Sequence, residues 1–388
     1  MDRYLAIPAK SDLKKKMLLL SGPRQVGKTT LSMQLGESFK NPVYLNWDDS
    51  GHKLRIKDRQ WPPESGLIVL DEIHKMNGWK GWVKGVYDTK PQQQSIMLTG
   101  SARLNIYKKG GDSLLGRYHH YRLHPVTASE HLGGCKLPEY EKKFTGLSFD
   151  KSAGLEELFK LGGFPEPLLS GSEKEHKRWL KERHELVLRE DVRDLEEVKM
   201  LGKLELLGLL IPGRVGSPLS VQSLVEDVGA SHKTLQYWLD VLARVYFSFK
   251  VMPYSRHLAR ALKKEHKIYL WDWSQVENDG ARFENMVASH LLKWCNFQED
   301  VNGIKAELWY LRDREKRETD FLVTWEGAPA FLVECKLSDE SPSPHLTYFG
   351  SRLGIKDRYH VTLNGKKDYL LPEGTRVIPA SKFLAGLI

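Results

Sequence analysis

The chain has 388 residues, 40% of them hydrophobic, which suffices for two or three ordinary globular domains. Its three cysteines, Cys135, Cys295 and Cys335, lack metal-ligand spacing and are odd in number, so a disulfide framework and a cysteine-held metal are not expected and a reducing cytoplasm fits. No apolar run nears the roughly 18 residues of a membrane span, and the start lacks a signal peptide's apolar core, so the reading is a cytoplasmic protein with no membrane partner. The formal charge of +9 arises in residues 1–135, with 21 Lys and Arg against 12 Asp and Glu, while residues 136–388 balance at 38 each. Such an excess suits a nucleotide site or a polyanion surface, but an imbalance of this size is more often plain solubility and alone decides nothing.

The apolar run Met17 to Leu20 leads into Gly22-Pro-Arg-Gln-Val-Gly-Lys-Thr-Thr30, the spacing of a phosphate-binding loop between a strand and a helix. Gly22 and Gly27 permit the bends, and the backbone through Arg24, Gln25, Val26 and Thr30 completes a cradle of N–H groups for the phosphates of ATP. Lys28 is placed to reach the β- and γ-phosphates, and Thr29 to offer its hydroxyl to Mg²⁺. The following helix directs its positive N-terminal end at the same anion.

Pro42 to Asn46 reads as a second strand, followed by the polar loop Trp47-Asp-Asp-Ser. Leu67-Ile-Val-Leu70 is a continuous apolar run, as a buried parallel strand requires, and it ends in Asp71-Glu72 at the edge where open α/β sheets bind ligands. Asp71 is expected to hold Mg²⁺ through water and Glu72 to orient and deprotonate the attacking water. Ser95 to Ser101 repeats the pattern, with Thr99 or Ser101 available to the γ-phosphate or water, although Thr-Gly-Ser is also ordinary turn composition. Arg103 and Arg117 are the nearby arginines that could stabilise transition-state charge, in the same chain or in a neighbouring subunit of a homo-oligomer.

Gly22 to Thr30, Leu70 to Lys75 followed by Trp79, Leu98 to Ser101, Leu115-Gly-Arg117, Leu123 to Glu130, Gly162-Gly-Phe-Pro-Glu166 and Arg193-Asp-Leu195 occur in that order. In that order they resemble the prokaryotic AAA-type ATPases that carry a C-terminal domain of unknown function with a restriction-endonuclease-like fold. The resemblance spans nearly the whole chain and implies an architecture more firmly than a biological role.

Glu173 to Met200 is charged at helical density, with Trp179, Leu180, Leu186, Val187, Leu188, Val192 and Leu195 as its apolar face. Glu190, Asp191 and Asp194 read as a solvated face rather than metal ligands. Residues 219–252 suggest a winged helix-turn-helix: a helix to Val228, a turn at Gly229-Ala-Ser231 with Ser231 as N-cap, a second helix, then a strand. His232, Lys233 and Gln236 fall on the outward face of the second helix, where they could meet nucleic acid, while many winged helices bind only protein. Arg244, Lys250, Arg256, Arg260, Lys263, Lys264 and Lys267, interleaved with Tyr246, Phe247, Phe249 and Tyr254, add a candidate phosphate-backbone surface.

The last third places Glu284 on an amphipathic helix, Asp320 near the start of one strand and Glu334-Cys-Lys336 at the end of another. Period-two alternation puts Glu334 and Lys336 on one face. Asp320 and Glu334 could share a divalent ion, leaving Lys336 to orient a water for attack on phosphorus. This arrangement resembles the PD-(D/E)XK nuclease core, with Glu284 matching its helix acid; a salt-bridged hairpin is the alternative. Asp339 and Glu340 read as loop.

The expected architecture is α/β throughout. It comprises an AAA-type P-loop parallel sheet in residues 1–135, a helical connector in 136–200, a winged-helix-like region in 201–270 and a restriction-endonuclease-like domain in 271–388. The expected activity is a Mg²⁺-dependent ATPase acting on DNA, with nuclease activity as an added possibility; the alternative is an ATP-driven switch that binds a protein partner.

Overall fold

Five short runs in the first third alternate with helices, and in the computed structural model they pair as one parallel sheet in the order Val43–Asn46, Leu67–Asp71, Ser95–Gly100, Met17–Ser21, Tyr118–Arg122. The structure describes residues 1–100, 114–133, 152–195, 200–255, 265–338 and 341–388. The chain folds as two compact units, Asp2–His124 and Pro125–Ile388, a coarser division than the four expected segments.

In Asp2–His124 the strands are β1 Met17–Ser21, β2 Val43–Asn46, β3 Leu67–Asp71, β4 Ser95–Gly100 and β5 Tyr118–Arg122. β1, β3 and β4 are buried along their whole length, which explains why they read as unbroken apolar runs rather than alternating ones. The helix Trp79–Thr89 buries Trp79, Val83 and Val86, a stripe at i, i+4 and i+7, against the core of Met17, Leu19, Leu70 and Leu98. Register matters most for function: Leu20 pairs with Thr99, and Thr99 with Asp71, so the carboxyl ends of β1, β4 and β3 form one row.

In Pro125–Ile388 a mixed sheet of eight strands runs β12-β13-β11-β10-β9-β8-β6-β7. These are β6 Ser248–Pro253, β7 Lys267–Leu270, β8 Ala306–Arg312, β9 Glu318–Trp325, β10 Ala328–Lys336, β11 Asp357–Thr362, β12 Tyr369–Leu370 and β13 Thr375–Pro379. The helix Asp279–Asn302 starts where the Asn278 side chain accepts the Ala281 N–H at 3.0 Å, and ends at Gly303 with φ +68°. It buries Phe283, Met286, Val287, Leu291 and Trp294, and its length supplies one side of this unit's core.

Ahead of that helix, Val221–Val228 and His232–Arg244 are joined by a short turn, with Ser231 capping the second helix by accepting the Thr234 N–H at 3.2 Å. β6 and β7 follow as an antiparallel pair, and β6 continues into β8 through Met252 and Pro253. The pair is therefore one edge of the eight-stranded sheet and not a free-standing wing.

Candidate nucleotide site and C-terminal acidic centre

The loop after β1 needs glycine twice. At Gly22 a Cβ would collide with the Leu123 carbonyl, and Gly27 takes φ +97° immediately before the helix Lys28–Gly36. Gln25 is also left-handed at φ +64°, Val26 is buried with its carbonyl accepting from Arg3 at 2.8 Å, Arg24 is half-buried and Thr30 is exposed. Lys28 folds back so that its ammonium donates to the Gly22 and Pro23 carbonyls at 3.0 and 2.7 Å. Thr29 stands one residue further on, in the first helical turn.

The row of strand ends now converges on Asp71. Thr29 Oγ1 donates to Asp71 Oδ2 at 3.1 Å, Tyr44 donates to the same oxygen at 2.5 Å, and Thr99 donates to Oδ1. Burial, and then the bond to Asp71, raise the Tyr44 hydroxyl's pKa, so it stays a donor. Glu72 turns away at φ +54°, with its N–H held by the Thr99 carbonyl at 2.9 Å. Its Oε2 is buried and accepts no hydrogen bond, and the His74 ring nitrogen stands 3.5 Å off. Burial pushes the Glu72 carboxyl up to about 7, the range of a group that can take a proton near neutrality. Thr29 and Asp71 are thus in contact as a Mg²⁺ site requires, beside a glycine-bent cradle of backbone N–H groups, and these residues fit Mg²⁺ and a nucleotide.

Arg117 corrects the expectation that it serves this site within its own chain. It precedes Tyr118, which pairs with Met17 at the opposite end of β1, about 13 Å of strand from the loop. There its guanidinium grips Asp88 at 2.8 and 3.1 Å. Ser101 and Arg103 lie outside the described residues.

The C-terminal residues also meet. Glu284 comes from the helix Asp279–Asn302, Asp320 from β9, and Glu334 and Lys336 from β10, where Lys336 lies 3.6 Å from Glu334. The Cys335 N–H donates to Asp320 Oδ2 at 2.8 Å, while Glu334 Oε2 is buried and accepts no hydrogen bond. At the centre sits Lys267, 1% exposed, with its ammonium 3.0 Å from Glu284, 2.7 Å from Glu318 and 3.9 Å from Asp320. Tyr269, two residues along the same strand, donates to Glu284 at 2.6 Å.

Burial opposes the charge on Lys267, but Glu284, Asp320 and Glu318 outweigh it and hold its pKa above the ordinary value. Arg312 pairs with Glu318 at 2.9 Å, and beside Lys267 and Lys336 burial still disfavours charge on the remaining acids. Burial followed by Asp320 pushes Glu334 up to about 8 and Glu284 up to about 7, and burial raises Asp320 as well. Among the described residues no three His, Cys, Asp or Glu side chains gather where they could hold a metal ion. Lys267 pairs with Glu284 and Glu318; Asp320 and the Glu334 oxygen that accepts no hydrogen bond are the donors that would face one divalent cation.

The basic, aromatic segment 244–267 is corrected in part. Tyr246, Phe247 and Phe249 are buried core residues, Lys267 points into the acidic centre, and Lys250 is bonded to Asp240 at 2.6 Å. Arg256, Arg260, Lys263 and Lys264 lie outside the described residues, as do Asp339 and Glu340. His232, Lys233 and Gln236 are exposed on the second helix of the pair. Sequence reasoning passed over Tyr44 and Tyr269, gave His74 no role, and assigned Lys267 to the basic surface instead of the acidic centre; Lys267 and Tyr269 were within reach of it. For the last two the available signal was their shared strand face, two residues apart.

Residues 14–132 match the AAA domain family, 152–276 match a domain of unknown function (DUF8612) and 279–383 match another (DUF4143). With the strand order and loop above, the match over 14–132 gives Asp2–His124 an AAA-type P-loop α/β fold. Across the chain, an uncharacterized protein of Methanocaldococcus jannaschii, MJ1544, is 23% identical over 84% of this chain and 76% of its own length. An uncharacterized protein of Mycobacterium tuberculosis, Rv2008c, is 21% identical over 95% of this chain and 81% of its own. Among solved structures, the Walker-type ATPase PABY2304 of Pyrococcus abyssi aligns with 70% of this chain and 93% of its own at TM-score 0.43 and 16% identity. Among the described residues no helix is long and apolar enough to cross a membrane.

Proposed function

We propose that this chain is a Mg²⁺-dependent ATPase whose nucleotide cycle is coupled to action on DNA. The observation that carries the ATPase reading is the contact of Thr29 and Thr99 with Asp71, with the buried Glu72 oxygen that accepts no hydrogen bond next in the chain. When bound, Mg²⁺ neutralises phosphate charge. Thr29 and Asp71 hold its position, Lys28 and the loop N–H groups bind the phosphates, and Glu72 takes the proton of the attacking water. Lys28→Ala should abolish nucleotide binding. Glu72→Gln keeps the shape but removes the base, so it should bind ATP and lower turnover about a hundredfold or more. Wild-type turnover by Glu72→Gln would refute this assignment.

Action on DNA is supported by the exposed His232, Lys233 and Gln236 on the capped second helix of a helix-turn-helix pair. The C-terminal centre supports a nuclease-like reading, in which Asp320 and Glu334 hold one divalent ion and Lys336 orients a water. Mg²⁺ or Mn²⁺ should then permit cleavage of some DNA or RNA form, and Asp320→Ala should stop it while ATP turnover continues. No Asp320-dependent product from a broad panel of ends, forks and single strands, with and without ATP, would refute cleavage. The second reading, an ATP-driven protein switch, is favoured by Lys267, which balances part of the centre's charge without any ion. DNA-stimulated ATPase activity separates the two, since only the first reading expects it.

A further inference from the structure

We infer that Lys267 is the built-in cation of the C-terminal centre, standing where a second divalent ion would otherwise sit and limiting the centre to one ion at Asp320 and Glu334. This rests on the nuclease-like reading only for the one-ion site; the role of Lys267 is tested separately.

The geometry is that of a bound cation. The ammonium is within 3.0 Å of carboxylates from two different elements, Glu284 on a helix and Glu318 on β9, and 3.9 Å from Asp320. The Tyr310 ring lies 5.5 Å away on another side, so the charge is enclosed by oxygens and an aromatic face, with 1% exposure. A surface salt bridge does not converge in this way, and an unpaired buried lysine would lose its proton. Oxygen ligands gathered from separate elements around one buried positive charge are what a hard divalent cation also requires.

The lysine is also fixed in place from behind. The Leu219 N–H donates to the His266 carbonyl at 2.8 Å, and Pro218 bridges to Lys267, so the chain entering the helix pair is tied to this strand. Gly216, at φ +82°, packs where a Cβ would meet Glu284 Oε2 at 3.1 Å. Lys267, Tyr269 and Gly216 all belong to the region matching one domain of unknown function, 152–276, whereas Glu284, Glu318, Asp320 and Glu334 belong to the region matching the other, 279–383. The centre is therefore completed by the preceding region: 279–383 carries the acids, and the fixed positive charge comes from outside it. Lys267 is a positioning residue: its ammonium draws Glu284 and Glu318 to itself and stands 3.9 Å from Asp320.

The test is a Mn²⁺ titration of the full chain without nucleotide, counted by electron paramagnetic resonance and accompanied by thermal unfolding. Ions elsewhere in the chain cancel in the differences between variants. Wild type should bind one Mn²⁺ that Glu334→Gln loses. Lys267→Gln should bind one Mn²⁺ more than wild type, and Mn²⁺ should raise its unfolding temperature further than it raises that of wild type. If Lys267→Gln folds only with Mn²⁺ present, the ion is replacing the ammonium and the inference stands. The double variant Lys267→Gln with Glu284→Gln, which removes one of the freed acids, should fold without Mn²⁺ and return to the wild-type count. An unchanged Mn²⁺ count in folded Lys267→Gln overturns the inference and leaves the one-ion reading intact. So does Lys267→Gln that stays unfolded with Mn²⁺ while the double variant folds. No Mn²⁺ lost in Glu334→Gln, together with one gained in Lys267→Gln, does the reverse: the one-ion reading falls and the role of Lys267 stands.

Discussion

Asp71 receives three hydroxyl donors, and the one that does not come from a recognisable motif is Tyr44. Its bond to Oδ2 competes with the water through which Asp71 would hold Mg²⁺, because both need the same lone pairs. A hydrogen bond to a charged acceptor contributes about 1.5 kcal/mol or more, so its removal should alter Mg²⁺ demand about tenfold. Tyr44→Phe should therefore reach half-maximal ATP turnover at roughly a tenth of the wild-type Mg²⁺ concentration, whereas Thr29→Ala should need more. An unchanged Mg²⁺ dependence in Tyr44→Phe would show that the tyrosine only props the strand. The motif residues are legible in the sequence because phosphate chemistry fixes their type and spacing. Tyr44 is not, since an aromatic on a short strand reads as core. Lys267 escapes for the opposite reason: counting charges along the chain assumes that each faces solvent, and this one is turned inward by the strand that carries it.

At the level of elements, the apolar runs and cap residues are enough to place β1, β3, β4, β8, β9 and β10, and Ser231 as a cap. The joining of β6 and β7 to the C-terminal sheet is not legible, because only Met252 and Pro253 make the connection and more than fifty residues separate them from their partners on β8. The Gly162-Gly-Phe-Pro segment reads as a turn, and packing explains why it needs two glycines. A Cβ on Gly163 would stand 2.5 Å from the Val126 carbonyl oxygen and 2.6 Å from the Trp273 ring, and Trp273 is itself anchored by donating to the Leu158 carbonyl at 3.1 Å. Gly163→Ala should therefore lower stability by about 1–3 kcal/mol, the usual cost of overpacking a filled core. Gly202 sits in the helix Leu201–Leu210 with nothing within 4 Å of a Cβ, so Gly202→Ala should be neutral or stabilising by up to about 1 kcal/mol. Equal losses in the two variants, measured by urea unfolding, would contradict the packing account.

Across the whole molecule, two units with separate cores should unfold as two transitions, and MgATP tells them apart by raising only that of Asp2–His124. Within Pro125–Ile388, His290 makes a contribution to stability that is lost in acid. Its Nε2 accepts the Ala128 N–H at 3.0 Å and its Nδ1 donates to the Met286 carbonyl at 2.7 Å, so the neutral ring satisfies both partners and a protonated ring would lose the first. Burial lowers its pKa from 6.5 to about 3. Between those values the unfolded chain binds a proton that the folded chain refuses, so stability falls as pH drops, by up to about 1.4 kcal/mol per pH unit for this one group. Above pH 6.5 neither state is protonated there and the effect vanishes. His266, held down to about 4 by burial, adds a slope of the same sign over a narrower range. Over the same range Glu334 and Glu284, raised to about 8 and about 7, take up protons in the folded state and act in the opposite direction, so calorimetry from pH 7.5 to 5 isolates His290 as the difference between wild type and His290→Gln. His290→Gln should be less stable at pH 7.5, where it forfeits the fitted hydrogen bonds, and the gap to wild type should narrow on acidification because the variant has no proton to take up there. A variant slope equal to that of wild type would mean that His290 is not what limits the unit in acid.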